Sequence, residues 1–184
     1  MQEQATVKFV TVSSVEFNLA RVIAEVAKTH PERVALMHQG AETSFPKFVD
    51  RYQRLGNAFA EAGLGCHTER SSLEGHESGQ DHVALYLNNG PEYLEAMLGG
   101  WAARAATFNV NHRYVAEELR YLLSDSAAKA VVVNSMYAPT LAEVLADFGK
   151  PQPQVVEKHQ QDSRPWVRRY VTIVGEKNNA VIES

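Results

Sequence analysis

The stretch His82-Val83-Ala84-Leu85-Tyr86-Leu87-Asn88-Asn89-Gly90-Pro91-Glu92-Tyr93-Leu94-Glu95-Ala96-Met97-Leu98 decides the fold, because its hydrophobic period changes halfway along. His82 to Leu87 is an apolar, extended run. Asn88-Asn89-Gly90 is a turn that tolerates positive φ, and Pro91 with Glu92 opens a helix. The expected buried face of that helix is Leu94, Met97, Leu98 and Trp101, spaced i, i+3, i+4, i+7. The unit then recurs. Thr107 to Val110 reads as a second strand, followed by a helix beginning near Val115. Glu117 and Glu118 lie in its first turn, where carboxylates suit the positive end of the helix dipole. That helix should bury Leu119, Leu122 and Leu123 and break at Ser124-Asp125-Ser126. Ala130 to Asn134 is a near-continuous apolar strand of the kind covered on both faces in a parallel sheet. Pro139 to Phe148 follows as an amphipathic helix through Leu141, Val144, Leu145 and Phe148. The alternation predicts an α/β fold, a layered parallel-type sheet with helices on both faces and right-handed crossovers.

Upstream, Asn18 to Lys28 reads as a helix capped by Asn18, with Leu19, Val22, Ile23 and Val26 on one face and Pro31 beyond its end. Val34 to His38 is a strand. Gln39-Gly40-Ala41-Glu42 turns the chain into a short extended piece, Thr43-Ser44-Phe45, to make a hairpin. Pro46 suits the first turn of a helix in which Phe48, Tyr52, Leu55, Phe59 and Ala62 share a face, closed by Gly63 and Gly65. After Gly149 the sequence becomes polar and proline-interrupted, with one further strand expected at Tyr170 to Val174. The expected organisation is a partial domain over 1–149 and a connection with an extra strand over 150–184.

At 184 residues, 45% hydrophobic and 22% charged, the chain has the make-up of an ordinary globular domain or part of a larger one. The net charge of -4 gives no general attraction to nucleic acid or anionic membranes, and neither is expected as a partner. No window approaches the roughly 18 uninterrupted apolar residues of a membrane span. Cys66 is the single cysteine, so an intrachain disulfide is impossible. With a start, Met1-Gln2-Glu3-Gln4, unlike a signal peptide, this points to the cytoplasm.

Cys66, His67, His76 and His82 are zinc-ligand types within a short segment, but their spacing matches no standard site, and no metal centre is expected. His112 and Arg113 follow a strand end, where α/β proteins place ligands; they are the cofactor-binding candidates, with Arg113 suited to a phosphate. The competing reading makes them residues leading into a helix, bonded to carbonyls or paired with a carboxylate such as Glu117. Arg164, Trp166, Arg168, Arg169 and Tyr170 read as a strand edge with a solvated flank rather than a stacking surface for bases. Ser44, Ser124 and Ser126 fall at element ends, where hydroxyls commonly cap backbone groups. Phe59, Met97 and Trp101 read as core.

The stretch Asn109-Val110-Asn111-His112-Arg113-Tyr114-Val115-Ala116-Glu117-Glu118-Leu119-Arg120-Tyr121-Leu122-Leu123 resembles a signature of AMP-forming acyl-CoA synthetases, the fatty-acyl-CoA ligases of the adenylate-forming, AMP-binding enzymes. The similarity is collinear from Asn18 to Asp147. Asn18-Leu19 with Thr29 to Leu36 looks like the family's first helix and strand, Thr43 to Phe48 like its next strand and helix start, and His82 to Gly99 like the unit before the signature. Trp101 to Ala106, which includes Arg104, departs from the family's usual small residues and glycine, and His67 to Gln80 lengthens a short connection.

The resemblance implies the N-terminal portion of the adenylate-forming fold. A complete family member uses ATP and Mg²⁺ to adenylate a fatty or related carboxylic acid, then transfers the acyl group to CoA. The family's Thr/Ser/Gly loop ending in Pro-Lys and its catalytic lysine lie further toward the C-terminus and do not occur between Met1 and Ser184. Nor does a Walker loop or G-x-G-x-x-G, since Gly63-x-Gly65 fails at Thr68. The expectation is a truncated or partial synthetase that is inactive by itself, with no catalytic residue and no cofactor of its own. The alternative is a non-catalytic interaction module or inactive remnant, associating with a full-length synthetase or forming a homo-oligomer.

Overall fold

The computed structural model describes residues 18–147 and 170–173. The expected features at Phe148, over 150–169 and at Val174, the cluster from Arg164 to Arg169 among them, lie outside the described residues. The central sheet is built from β3 (His82–Tyr86), β4 (Ala106–Asn109), β5 (Ala128–Val133) and β6 (Tyr170–Ile173) in the order β4-β3-β5-β6. β3 pairs in parallel with both β4 and β5, Val83 facing Thr107 on one side and Ala130 on the other. β6 is the expected late strand, but it joins β5 antiparallel, Thr172 opposite Val131, so the sheet is parallel with one reversed edge strand.

Alternation along the pleat sends successive side chains to opposite faces. Ala84, Tyr86, Val131 and Val133 pack on Leu119 and Leu123 of α4 (Ala116–Asp125) and on Leu141, Val144 and Leu145 of α5 (Ala138–Asp147). Val83, Leu85, Ala130 and Val132 pack on Phe59 of α2 (Phe45–Glu61) and Ala96 of α3 (Pro91–Ala102). Helices therefore cover both faces, which is why the strands read as unbroken apolar runs.

A third cluster, Ala20, Phe48, Tyr52 and Leu98, joins α1 (Leu19–Thr29) to α2 and α3. Asn18 fixes α1 twice: its Oδ1 accepts from the Ala20 N–H at 2.8 Å, and its Nδ2 donates to the Trp101 carbonyl at 2.6 Å. The buried Tyr52 hydroxyl donates to the Ala20 carbonyl at 2.6 Å. These bonds correct the expected face of α1. Ala20 and Ala27 are buried, whereas Leu19 and Val22 are exposed, because the anchors turn the small residues inward and let the helix approach closely.

The hairpin of β1 (Val34–His38) and β2 (Ala41–Ser44) is as expected, except that the turn is shorter, with Ala41 and Glu42 already paired in β2, and that Phe45 already belongs to α2. Gln39 and Gly40 have φ of 49° and 78°, the paired left-handed conformation that matches strand twist in a tight hairpin.

Three further expectations are corrected. The buried side of α3 is Glu95, Ala96, Leu98, Gly99 and Gly100, with Leu94 exposed, because α3 is wedged between the sheet and α2 rather than resting on one surface. The wedge is tight: a Cβ at Gly56 of α2 would meet the Ala102 Cβ and the Gly99 carbonyl, each at 3.0 Å. The turn before α3 uses no positive φ, and Gly90 is extended at 175°. Ser44 occupies the position before α2 but makes no side-chain capping bond, whereas the Ser126 hydroxyl bonds back to the Leu123 carbonyl at 3.4 Å.

Candidate functional site

β4, β3 and β5 end at the same edge, and the chain leaves β3 and β5 toward opposite faces of the sheet. β3 runs into α3 on the α2 side, and β5 runs through a short turn, Ser135–Tyr137, into α5 on the other. Divergent connections at the carboxyl ends of neighbouring parallel strands open a crevice, the usual ligand position in such sheets. Asn88 stands on one side and Asn134 to Tyr137 on the other.

Each wall is built locally. The Asn134 N–H donates to the Tyr86 carbonyl at 3.0 Å, and Asn134 Oδ1 accepts from the Met136 N–H at 3.1 Å, so this residue both ends β5 and starts the turn. The Tyr137 ring stacks on Tyr86 with centroids 4.8 Å apart and planes at 23°. The Tyr137 hydroxyl crosses the crevice and donates to Asn88 Oδ1 at 2.5 Å. Burial is the main cause that raises the Tyr86 phenol above its ordinary value, with Tyr137 adding to it and a hydrogen bond with Thr140 opposing it.

His112 and Arg113 lie on the third loop at this edge, after β4. Asn111 shapes it: its Oδ1 accepts from the Arg113 N–H at 3.0 Å, and its carbonyl accepts from the Tyr114 N–H at 3.1 Å. The expected start of α4 holds, with the Glu118 carboxylate accepting from the Val115 N–H at 3.1 Å. His112 is exposed, its ring 6.2 Å from Tyr137. Arg113 is exposed; its N–H bond to Asn111 fits a residue leading into a helix, and no ion pair between it and Glu117 occurs among the described residues. The loop after β4 thus carries an exposed guanidinium next in the chain to the histidine that neighbours Tyr137, and the three loops at this edge contain no glycine-rich cradle.

Beside the β3–α3 turn, the hairpin and α3 leave an open groove of about 290 Å³ lined by Met37, His38, Asn89, Gly90, Tyr93 and Leu94. The histidines considered for zinc sit mainly at the other end of β3 and do not converge. His67 Nε2 lies 2.6 Å from Asp81 Oδ2, while His82 bonds the Ser126 carbonyl and the Ser78 hydroxyl at 2.5 and 2.9 Å. Cys66 Sγ bonds the Thr68 carbonyl at 3.3 Å, and His76 is exposed. No group of three metal-ligating side chains occurs among the described residues. Asn88, Asn134 and Tyr137 were not anticipated as site residues. The sequence signal for the two asparagines is that each closely follows an apolar strand, β3 or β5; Tyr137 has none.

A three-layered α/β unit with its polar loops gathered at the carboxyl edge belongs to the class of α/β domains that take their ligands at that edge. A profile of the AMP-binding enzyme family matches residues 23–180, and the chain belongs to that family. It is 44% identical over 132 residues to the medium-chain acyl-CoA ligase Mig of Mycobacterium avium, a match covering 72% of this chain and 24% of that protein. It is 32% identical over 157 residues to a medium/long-chain-fatty-acid/3-oxocholest-4-en-26-oate CoA ligase of Mycobacterium marinum, covering 85% and 26%. A Rhodopseudomonas palustris structure assigned provisionally as a long-chain-fatty-acid CoA ligase superposes with a TM-score of 0.62 at 27% identity, covering 74% of this chain and 32% of that one. The chain thus spans about a quarter of the length of the curated relatives it matches, and it corresponds to their N-terminal part.

Proposed function

We propose that this chain is the N-terminal part of the adenylate-forming domain of an acyl-CoA ligase acting on medium- or long-chain fatty acids or related carboxylic acids. The family match over 23–180 carries this reading, and the names of the relatives suggest the substrate class. In the complete enzyme, ATP with Mg²⁺ would supply the adenylate and CoA the accepting thiol. This segment contributes the carboxyl edge of the sheet, where Arg113 meets a phosphate of ATP or CoA and His112 borders the same space. By itself the segment does not turn over, because a phosphate cradle and a catalytic lysine are missing between Met1 and Ser184. No helix among the described residues is long and apolar enough to cross a membrane.

The test is acyl-CoA formation by the purified chain with ATP, Mg²⁺, CoA and a series of fatty acids. No product above the protein-free blank is expected. Chain-dependent product would overturn the claim that the segment is incompetent alone. A second reading, a non-catalytic partner of an intact acyl-CoA ligase, is favoured by the apolar side chains bared around the same edge: Met37, Leu94, Val115 and Met136. Size-exclusion chromatography of the chain with and without a full-length ligase distinguishes the readings, because only the second predicts co-elution.

A further inference from the structure

We infer that Tyr137 is a positioning residue for the ligand edge, holding the Asn88 turn and the His112–Arg113 loop in register across the crevice. The inference rests on the reading of Arg113 as a phosphate contact. Three observations converge on Tyr137. Its hydroxyl spans from the β5 side to Asn88 on the β3 side, and the Asn88 amide nitrogen returns to Met136 Sδ at 3.2 Å, so the two walls are bonded in both directions. One face of its ring lies on Tyr86, which is only 1% exposed and therefore a fixed base. His112, the neighbour of Arg113 in the chain, lies 6.2 Å from the same ring with planes tilted by 31°. The side chain thus touches all three loops that leave the parallel strands.

The geometry separates this role from plain core packing. Tyr137 is only partly buried, and its packing on Tyr86 needs a ring but no hydroxyl. The hydroxyl's bond to an exposed asparagine is a small part of the stability of the whole fold, the net contribution of one hydrogen bond, but that is enough to favour one loop arrangement over another. Its effect is to choose one arrangement of the Asn88 turn relative to the Tyr137 ring, and with it the shelf on which His112 rests.

The experiment is a titration of the full chain with CoA, and separately with ATP and Mg²⁺, followed in amide ¹H–¹⁵N spectra. Wild type, Tyr137→Phe, Tyr137→Leu, Asn88→Ala, the Tyr137→Phe/Asn88→Ala pair and Arg113→Ala are compared, with melting curves for each. Wild type should show saturable shifts at residues 111–114 that Arg113→Ala abolishes. Tyr137→Phe and Asn88→Ala should each weaken binding by about three- to tenfold with melting lowered by no more than a few degrees, as the loss of one hydrogen bond would. The pair should be no worse than Asn88→Ala alone, because that change already removes the bond that Tyr137→Phe removes. Tyr137→Leu should also move the amides of 88–90 and 111–113 without ligand. Wild-type binding lost in Arg113→Ala but kept within about twofold in every Tyr137 and Asn88 variant would overturn the positioning role and leave the Arg113 reading intact. Absence of any binding to wild type would sink the Arg113 reading and this inference with it.

Discussion

Glu95 shows how much one side chain decides here. It is 6% exposed within α3, and its Oε1 lies 2.8 Å from Arg51 Nε of α2, close enough for a strong ion pair although the N–H is not aimed at the oxygen. Removing one member of a buried pair takes a close partner from the other charge, at a cost of up to about 3–5 kcal/mol; the slight exposure and the further interactions of Arg51 favour the lower end of that range. Glu95→Ala should therefore shift the urea midpoint of unfolding strongly downward. The Arg51→Met/Glu95→Leu pair should recover much of the loss, because a well-filled apolar contact can replace an ion pair. A double variant no better than Glu95→Ala would contradict this account. At this scale the sequence was only partly readable. Apolar spacing marked Tyr52 and Phe59 as core, but it could not show that a charged residue inside an apolar helix has its counterpart on another helix. Tyr137 was hidden in the same way: its bond partner is 49 positions away, and periodicity carries no information about such pairs.

Among the elements, helix ends hold the clearest departure from a relaxed backbone. α4 closes at Ser126, and the next residue, Ala127, has φ of 47°, a left-handed conformation usually taken by glycine at this position. The Ala127 N–H donates to the Ser124 carbonyl at 3.1 Å, so the conformation is needed to end the helix and turn into β5. Ala127→Gly should keep that bond and relieve the Cβ contact, raising stability by about 0.5–1 kcal/mol after the added entropy of the unfolded glycine is set against it. A lower melting temperature in Ala127→Gly would refute this. Strand and helix order was legible because each element has a strong period, and the hairpin because Gln39-Gly40 is a recognisable turn. The buried faces of α1 and α3 were not. A one-sided pattern assumes one neighbour, whereas α3 has the sheet on one side and α2 on the other, and α1 is rotated by the bonds of Asn18.

Across the whole molecule, the same burial couples stability to alkaline pH. Tyr52, in the cluster of α1, α2 and α3, has its phenol raised above the ordinary 10.0 by burial. Tyr86 in the sheet is raised by burial first and by Tyr137 second, and Tyr93 at the start of α3 by burial. A raised value means that the folded chain holds the proton to higher pH than the unfolded chain does. Between the two values the folded state binds more protons, so stability falls as pH rises. The stabilisation is complete below the unfolded value near 10.0 and is lost as pH climbs through the raised ones. Melting temperature should therefore decline above about pH 10, and because the groups are spread over distinct clusters their contributions should add. The quantity that isolates one of these phenols is the difference between wild type and Tyr52→Phe. At about pH 8 the variant should be less stable by about 1 kcal/mol, for the lost hydrogen bond to the Ala20 carbonyl. As pH rises the gap should narrow and can reverse, because phenylalanine has no proton to lose. A gap that stays constant or widens from about pH 8 to about pH 11 would show that Tyr52 does not link folding to alkaline titration.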